Sequence, residues 1–144
     1  MVALDYSYKV IKRECIKYGL PTYSCKISQS ICLNTISKAL NNLQYKEEWK
    51  SWKFVNSITG HRFLFDGYFQ DIGLIVEFHG YQHYVFPSVY IKYERDYLAQ
   101  RERDRIKKEM IDNDPTLKYF LITEEEPFDD VMYITGKLKG AGII

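Results

Sequence analysis

The stretch Leu74-Ile75-Val76-Glu77-Phe78-His79, closed by Gly80, constrains this chain more than any other segment. A nearly unbroken apolar run of that length suits a central strand covered on both faces, so a sheet with helices packed on it is expected around it. Glu77 breaks the pattern. A carboxylate between Val76 and Phe78 is costly to bury unless it is paired or bound to a cation. Strand alternation places Glu77 and His79 on one face and Val76 and Phe78 on the other.

The remaining elements follow from periodicity and punctuation. Residues 5–18 can form a short basic helix stopped by Gly19 and Pro21, and a second helix is expected from Ser28 to about Leu43. Trp49–Val55 and His61–Phe69 read as strands joined by a turn at 57–60, and Gln70–Gly73 turns the chain into the strand at 74–79. Residues 80–93 are irregular and rich in Tyr. A charged helix over about 94–113 has Leu98, Ala99, Ile106 and Met110 as its apolar side and ends at Asp114-Pro115. Tyr119–Thr123 reads as a last buried strand, and Pro127 opens a terminal helix to about Leu138. The expected fold is a single α/β domain with a mixed β-sheet flanked by helices, its core over about 28–138 and a helical extension over 1–27.

Composition bounds the class of function. The 144 residues are 46% hydrophobic and 27% charged, enough apolar surface to close a core. The net charge is +1, so a nucleic-acid partner must be held by a local patch and not by the overall field. No apolar run approaches the length of a membrane span, and the first residues lack a signal-peptide pattern. Cys15, Cys25 and Cys32 match no zinc or CxxC spacing, so a cytoplasmic, reducing setting is expected.

Several polar residues can carry chemistry. If the strands at 61–69 and 74–79 pair through the 70–73 turn, Asp66 comes alongside Glu77, and two such carboxylates suit Mg²⁺. The plain alternative is that each forms an ion pair with Arg62 or a helix lysine. His79 and His83 follow Glu77 closely, and Gly80 permits a close backbone approach to a ligand. Zinc held by His79, His83 and a carboxylate is a rival, although this pair straddles a strand end and no cysteine lies nearby. On the helix, Asp104, Lys107 and Lys108 share a face with Gln100 and Arg101, expected to point away from Ile106 and Met110. That face is either a solvated, salt-bridged surface or a phosphate-contacting one. Tyr81, Tyr84 and Phe86 could stack on bases or be surface aromatics without a role.

Phe65-Asp66-Gly67-Tyr68, then Ile75-Val76-Glu77-Phe78-His79-Gly80-Tyr81-Gln82-His83-Tyr84, then Arg103-Asp104-x-x-Lys107 resembles the PD-(D/E)xK nuclease superfamily. More narrowly it is similar to the branch of very-short-patch mismatch-repair endonucleases and related phage and homing-type nucleases, over about residues 61–123. The resemblance implies a restriction-endonuclease-like core and a metal-dependent DNA endonuclease using Mg²⁺ or Mn²⁺. It implies Asp66 as principal metal ligand with Glu77 beside it. His79 stands where classical members have Lys, so His79 or His83 would move the proton, with Asp104 orienting an imidazole. Gln82, Arg101, Lys107 and Lys108 would hold DNA, Lys107 also serving catalysis. Where relatives carry a helix Glu, this chain offers Gln29. The setting implied is a prokaryotic or phage-infected cell, with DNA as partner and a homodimer or a specificity-giving protein beside it. A non-catalytic nucleic-acid-binding or interaction module on a decayed nuclease core is the alternative, and a zinc-stabilised binding domain a third.

Overall fold

The computed structural model describes residues 25–80, 83, 86–87 and 91–144. The expected helix at 5–18, and Cys15, Tyr81, Gln82 and Tyr84, lie outside the described residues. The element order is α1 (Cys25–Ala39), β1 (Lys46–Val55), β2 (Arg62–Phe69), β3 (Leu74–His79), α2 (Glu94–Asp112), β4 (Lys118–Thr123) and α3 (Val131–Gly140). The four strands form one sheet in the order β1-β2-β3-β4. Consecutive strands run antiparallel up to β3, and β4 returns parallel to β3 after the helical crossover through α2. The α/β architecture with a mixed sheet is as the sequence predicts.

All of β3 is buried, as its apolar run requires. Leu74, Val76 and Phe78 pack with Ile31, Leu33 and Ile36 of α1 and Ile134 and Leu138 of α3. On the opposite face Ile75 packs with Phe63, Phe65 and Ile111, joined by Ile106 and Met110 of α2. Helices thus cover both sides of the sheet, and the Glu77 and His79 face is the one under α2.

Several element ends differ from expectation, and α1 begins at Cys25 ahead of Ser28. Helix α1 stops at Ala39, because Asn41 and Asn42 take left-handed backbone angles (φ 60° and 62°) and Asn42 N–H turns back to Ser37 O. β1 starts at Lys46, before Trp49. Helix α3 starts at Val131, where Asp130 accepts from the N–H groups of Met132 and Tyr133, and Pro127 lies in the preceding turn. Leu98, read as part of the apolar side of α2, is 57% exposed. Ile106 and Met110 do face the core.

A change of face in the β1–β2 pair shapes the site. Phe63 and Phe65 face α2, whereas Phe69 faces α1. The switch falls at Asp66, in the gap between the Glu47–Gly67 and Trp49–Phe65 pairs, where Glu48 has a φ of 54°. Just past it, Gly67 leaves room for Leu33, which would collide with any side chain there. That close approach seats α1 on the sheet and brings Gln29, one helical turn earlier, to the same edge.

Candidate functional site

β2 and β3 stay paired only from Phe69–Leu74 to Gly67–Val76. Beyond that point the Phe78 N–H donates to Asp66 Oδ2 at 2.7 Å, so a side chain takes over from the ladder. A cleft of about 480 Å³ opens where the strands part. β2 contributes Asp66 to its wall, β3 contributes Glu77, and α2 contributes Gln100, Arg103, Asp104 and Lys107, with His83 and Gln29 at its margin. The turn at 70–73 thus brings Asp66 alongside Glu77, as the sequence predicts.

The two acids share an apolar, crowded setting. Burial raises the Asp66 carboxyl above its ordinary range, against the opposing pull of the Phe78 N–H and Lys107. Burial, and then the neighbouring Asp66, push Glu77 up to about 8. Lys107 Nζ stands 3.0 Å from Glu77 Oε1, an ion-pair distance. Glu77 Oε1 is buried, and this ammonium is the charge beside it. The helix-lysine alternative for Glu77 therefore holds in part. Two carboxylates are the hard-oxygen donor chemistry that a divalent cation takes, and added positive charge would offset the burial that disfavours the ionised acids.

The second group is built on imidazoles. His83 Nδ1 lies 2.8 Å from Asp104 Oδ2, and Gln100 Nε2 lies 3.3 Å from His83 Nε2. An amide nitrogen can only donate, so Nε2 accepts and Nδ1 carries the proton given to Asp104. Burial opposes the Asp104 charge, but the hydrogen bond from His83 outweighs it and holds that carboxyl below its ordinary value. His79 stacks on His83 with ring centres 4.1 Å apart, and its buried Nε2 lacks a partner, 3.9 Å from Asp104 Oδ2. Burial above all lowers His79 to about 4, so it is neutral at physiological pH. His79, His83 and Asp104 offer ligand atoms all within 4.8 Å of one another and could hold a metal ion.

The charged face of α2 corrects the sequence reading. Asp104 and Lys107 do not point away from the core. They continue the sheet-facing stripe of Met110 and Ile111, and Lys107 Nζ lies 5.1 Å from the centre of the Phe65 ring. Lys108 and Arg101 instead edge a separate hollow of about 260 Å³ on the far side of His79. Lys108 pairs with Asp112 at 2.5 Å and Arg101 donates to Tyr97 Oη at 3.2 Å. Arg105, bridging Glu102 and Glu109, fits the solvated surface reading. Phe86 is 41% exposed and leans on Tyr97.

Sequence reasoning gave no role to Thr59 and His61, and named Arg103 only within the helix motif and Arg62 only as a possible ion-pair partner, yet all four line the same cleft. Their strand-end positions leave no periodic signal. Among the described residues no helix is long and apolar enough to cross a membrane. The chain is an α/β domain with a four-stranded mixed sheet and a His/His/Asp cluster, and no protein-family model, curated protein or solved structure matches it significantly.

Proposed function

We propose that the chain is a metal-dependent endonuclease that hydrolyses phosphodiester bonds of DNA. The observation that carries this reading is the meeting of Asp66 and Glu77 in an open cleft beside Lys107 and the His83–Asp104 pair. The likeness of those same residues to the PD-(D/E)xK pattern of the mismatch-repair branch supports it.

Asp66 and Glu77 would hold Mg²⁺ or Mn²⁺, which when bound supplies Lewis-acid polarisation of a phosphate and charge for the transition state. The chain's own groups do the rest. Asp104 holds the imidazole of His83 in the tautomer that keeps Nε2 unprotonated, and an attacking water that displaces the Gln100 amide from Nε2 could give its proton there. His79, neutral and stacked on that ring, limits its rotation. Lys107 and Arg103 bring positive charge to the cleft, where a phosphate would be held without regard to sequence. Gln82 would contribute as well, and so would Arg101 and Lys108 on the outer surface of α2.

Supercoiled plasmid incubated with Mg²⁺ or Mn²⁺ tests the reading. Wild type is expected to nick or linearise it, and Asp66→Asn to leave it intact while keeping the wild-type circular-dichroism spectrum. Equal cleavage by both proteins would place the activity elsewhere.

A second reading has its own observation. The close approach of His79, His83 and Asp104 suits a borderline transition metal better than Mg²⁺, as in a zinc-stabilised binding domain. Stoichiometric zinc in purified protein, with no cleavage in any cation, would favour it.

A further inference from the structure

Between Glu48 and Asp66 the chain carries Lys50, Lys53, His61 and Arg62 and no acidic residue, although the whole protein has a net charge of only +1. This basic segment is the outer part of the β1–β2 ribbon, whose inner part carries Glu47, Glu48 and Asp66, and within it Lys53 pairs with Asp114. One of its faces packs on α2 through Phe54, Phe63 and Phe65. Among the described residues no helix or strand packs on the opposite face. Leu64 is 40% exposed there and is paired with Lys50, and Trp52 is 71% exposed with the Arg62 guanidinium 4.6 Å from its ring centre. Single exposed apolar residues need no explanation, but an exposed tryptophan and leucine sharing one strand face with Lys50 and Arg62 do.

The tip of the ribbon is held in a fixed shape. Asn56 Oδ1 accepts from Ile58 N–H at 2.9 Å, Gly60 N–H returns to Asn56 O at 2.8 Å, and Gly60 takes a φ of 75°. Ile58, 89% exposed, stands at its end. Thr59, His61, Arg62 and Leu64 also wall the cleft that contains Asp66 and Glu77, so the ribbon and the cleft form one continuous surface.

We infer that this ribbon is a groove-binding arm that holds duplex DNA beside the cleft. The inference rests on the nuclease reading and narrows its substrate to duplex DNA. A two-stranded ribbon has the width that the major groove of B-form DNA admits. Lys50, His61 and Arg62 meet the phosphates flanking the groove, Trp52 supplies a flat face braced by Arg62, and Ile58 reaches the base edges. The complementarity is local: the acid-free outer part of the ribbon, not the near-neutral molecule, meets the polyanion.

Fluorescence anisotropy of the full chain with a labelled DNA duplex, its unpaired strand and the matching RNA duplex, with Ca²⁺ present, tests this. The variants are Trp52→Ala, Ile58→Ser and the double change Lys50→Glu with Arg62→Glu. These side chains are solvent-facing, so the fold is expected to survive, as far-UV circular dichroism would verify. Wild type is expected to prefer the DNA duplex. The double change should weaken duplex binding by about tenfold or more and flatten its salt dependence, and the other two should weaken it by about threefold or more. Duplex affinities unchanged in all three variants, or a wild-type preference for the single strand or for RNA, would overturn the inference. Cleavage of the same duplex in Mg²⁺ or Mn²⁺ is read separately. Wild-type cutting with unaltered variant binding removes the arm and keeps the nuclease. Ribbon-dependent binding without cutting in either metal does the reverse.

Discussion

At the scale of single residues, the buried acid pair gives the site a pH signature. Glu77 is pushed up to about 8 in the folded chain, first by burial and then by Asp66, against an ordinary value near 4.5. Between those values the folded state keeps a proton that the unfolded chain has released, so this group makes stability fall as pH rises toward 8. Glu77→Gln removes that dependence. In thermal melts without divalent cations, the variant is expected to hold its Tm across this window better than wild type and to melt higher at pH 8. Mg²⁺ or Mn²⁺ favours the ionised pair, so the rise in Tm that they produce should grow with pH in wild type and be absent in Glu77→Gln. A cation effect of equal size in both proteins would mean that Glu77 is not a ligand. Asp104 acts on the neighbouring imidazole. Asp104→Asn removes the acceptor that fixes the His83 tautomer, so cleavage should fall about 10²- to 10⁴-fold while duplex affinity changes little. A parallel loss of affinity would instead give Asp104 a role in binding.

At the scale of elements, what the sequence revealed depended on whether one residue's environment sufficed to decide it. β3 was legible from its own run, and the pairing of Asp66 with Glu77 from the short turn between their strands. The orientation of α2 was not. Asp104 and Lys107 read as solvent-facing because a charged residue normally is, and only the parting of β2 and β3 makes a polar cleft under that helix. The change of face at Glu48 and Asp66 was also hidden, since an alternating pattern that shifts by one residue looks like noise in a short aromatic strand. Gly73 tests how far the site depends on the turn. Its φ is 62°, and a side chain there would run into the Thr116 carbonyl oxygen, which is backbone and cannot swing away. Gly73→Ala should therefore destabilise the fold by about 1–3 kcal/mol, visible as a lower urea midpoint. An unchanged midpoint would mean that the β2–β3 turn is freer than its geometry implies.

At the scale of the whole molecule, the layers on both sides of the sheet close without any cation. Phe120, Ile122, Ile134 and Leu138 complete one layer, and Phe54, Phe65, Ile75 and Ile111 the other. Exhaustive dialysis against a chelator should therefore abolish cleavage yet leave a folded protein, and unfolding on chelation would favour the zinc-stabilised alternative. The two candidate cation positions differ in donor chemistry, carboxylate oxygens at Asp66 and Glu77 against imidazoles at His79 and His83. Anomalous diffraction from crystals soaked in Mn²⁺ distinguishes them most directly. The account predicts a manganese peak between the Asp66 and Glu77 carboxylates in the cleft. A peak bound solely by His79, His83 and Asp104, with none at the acid pair, would contradict it.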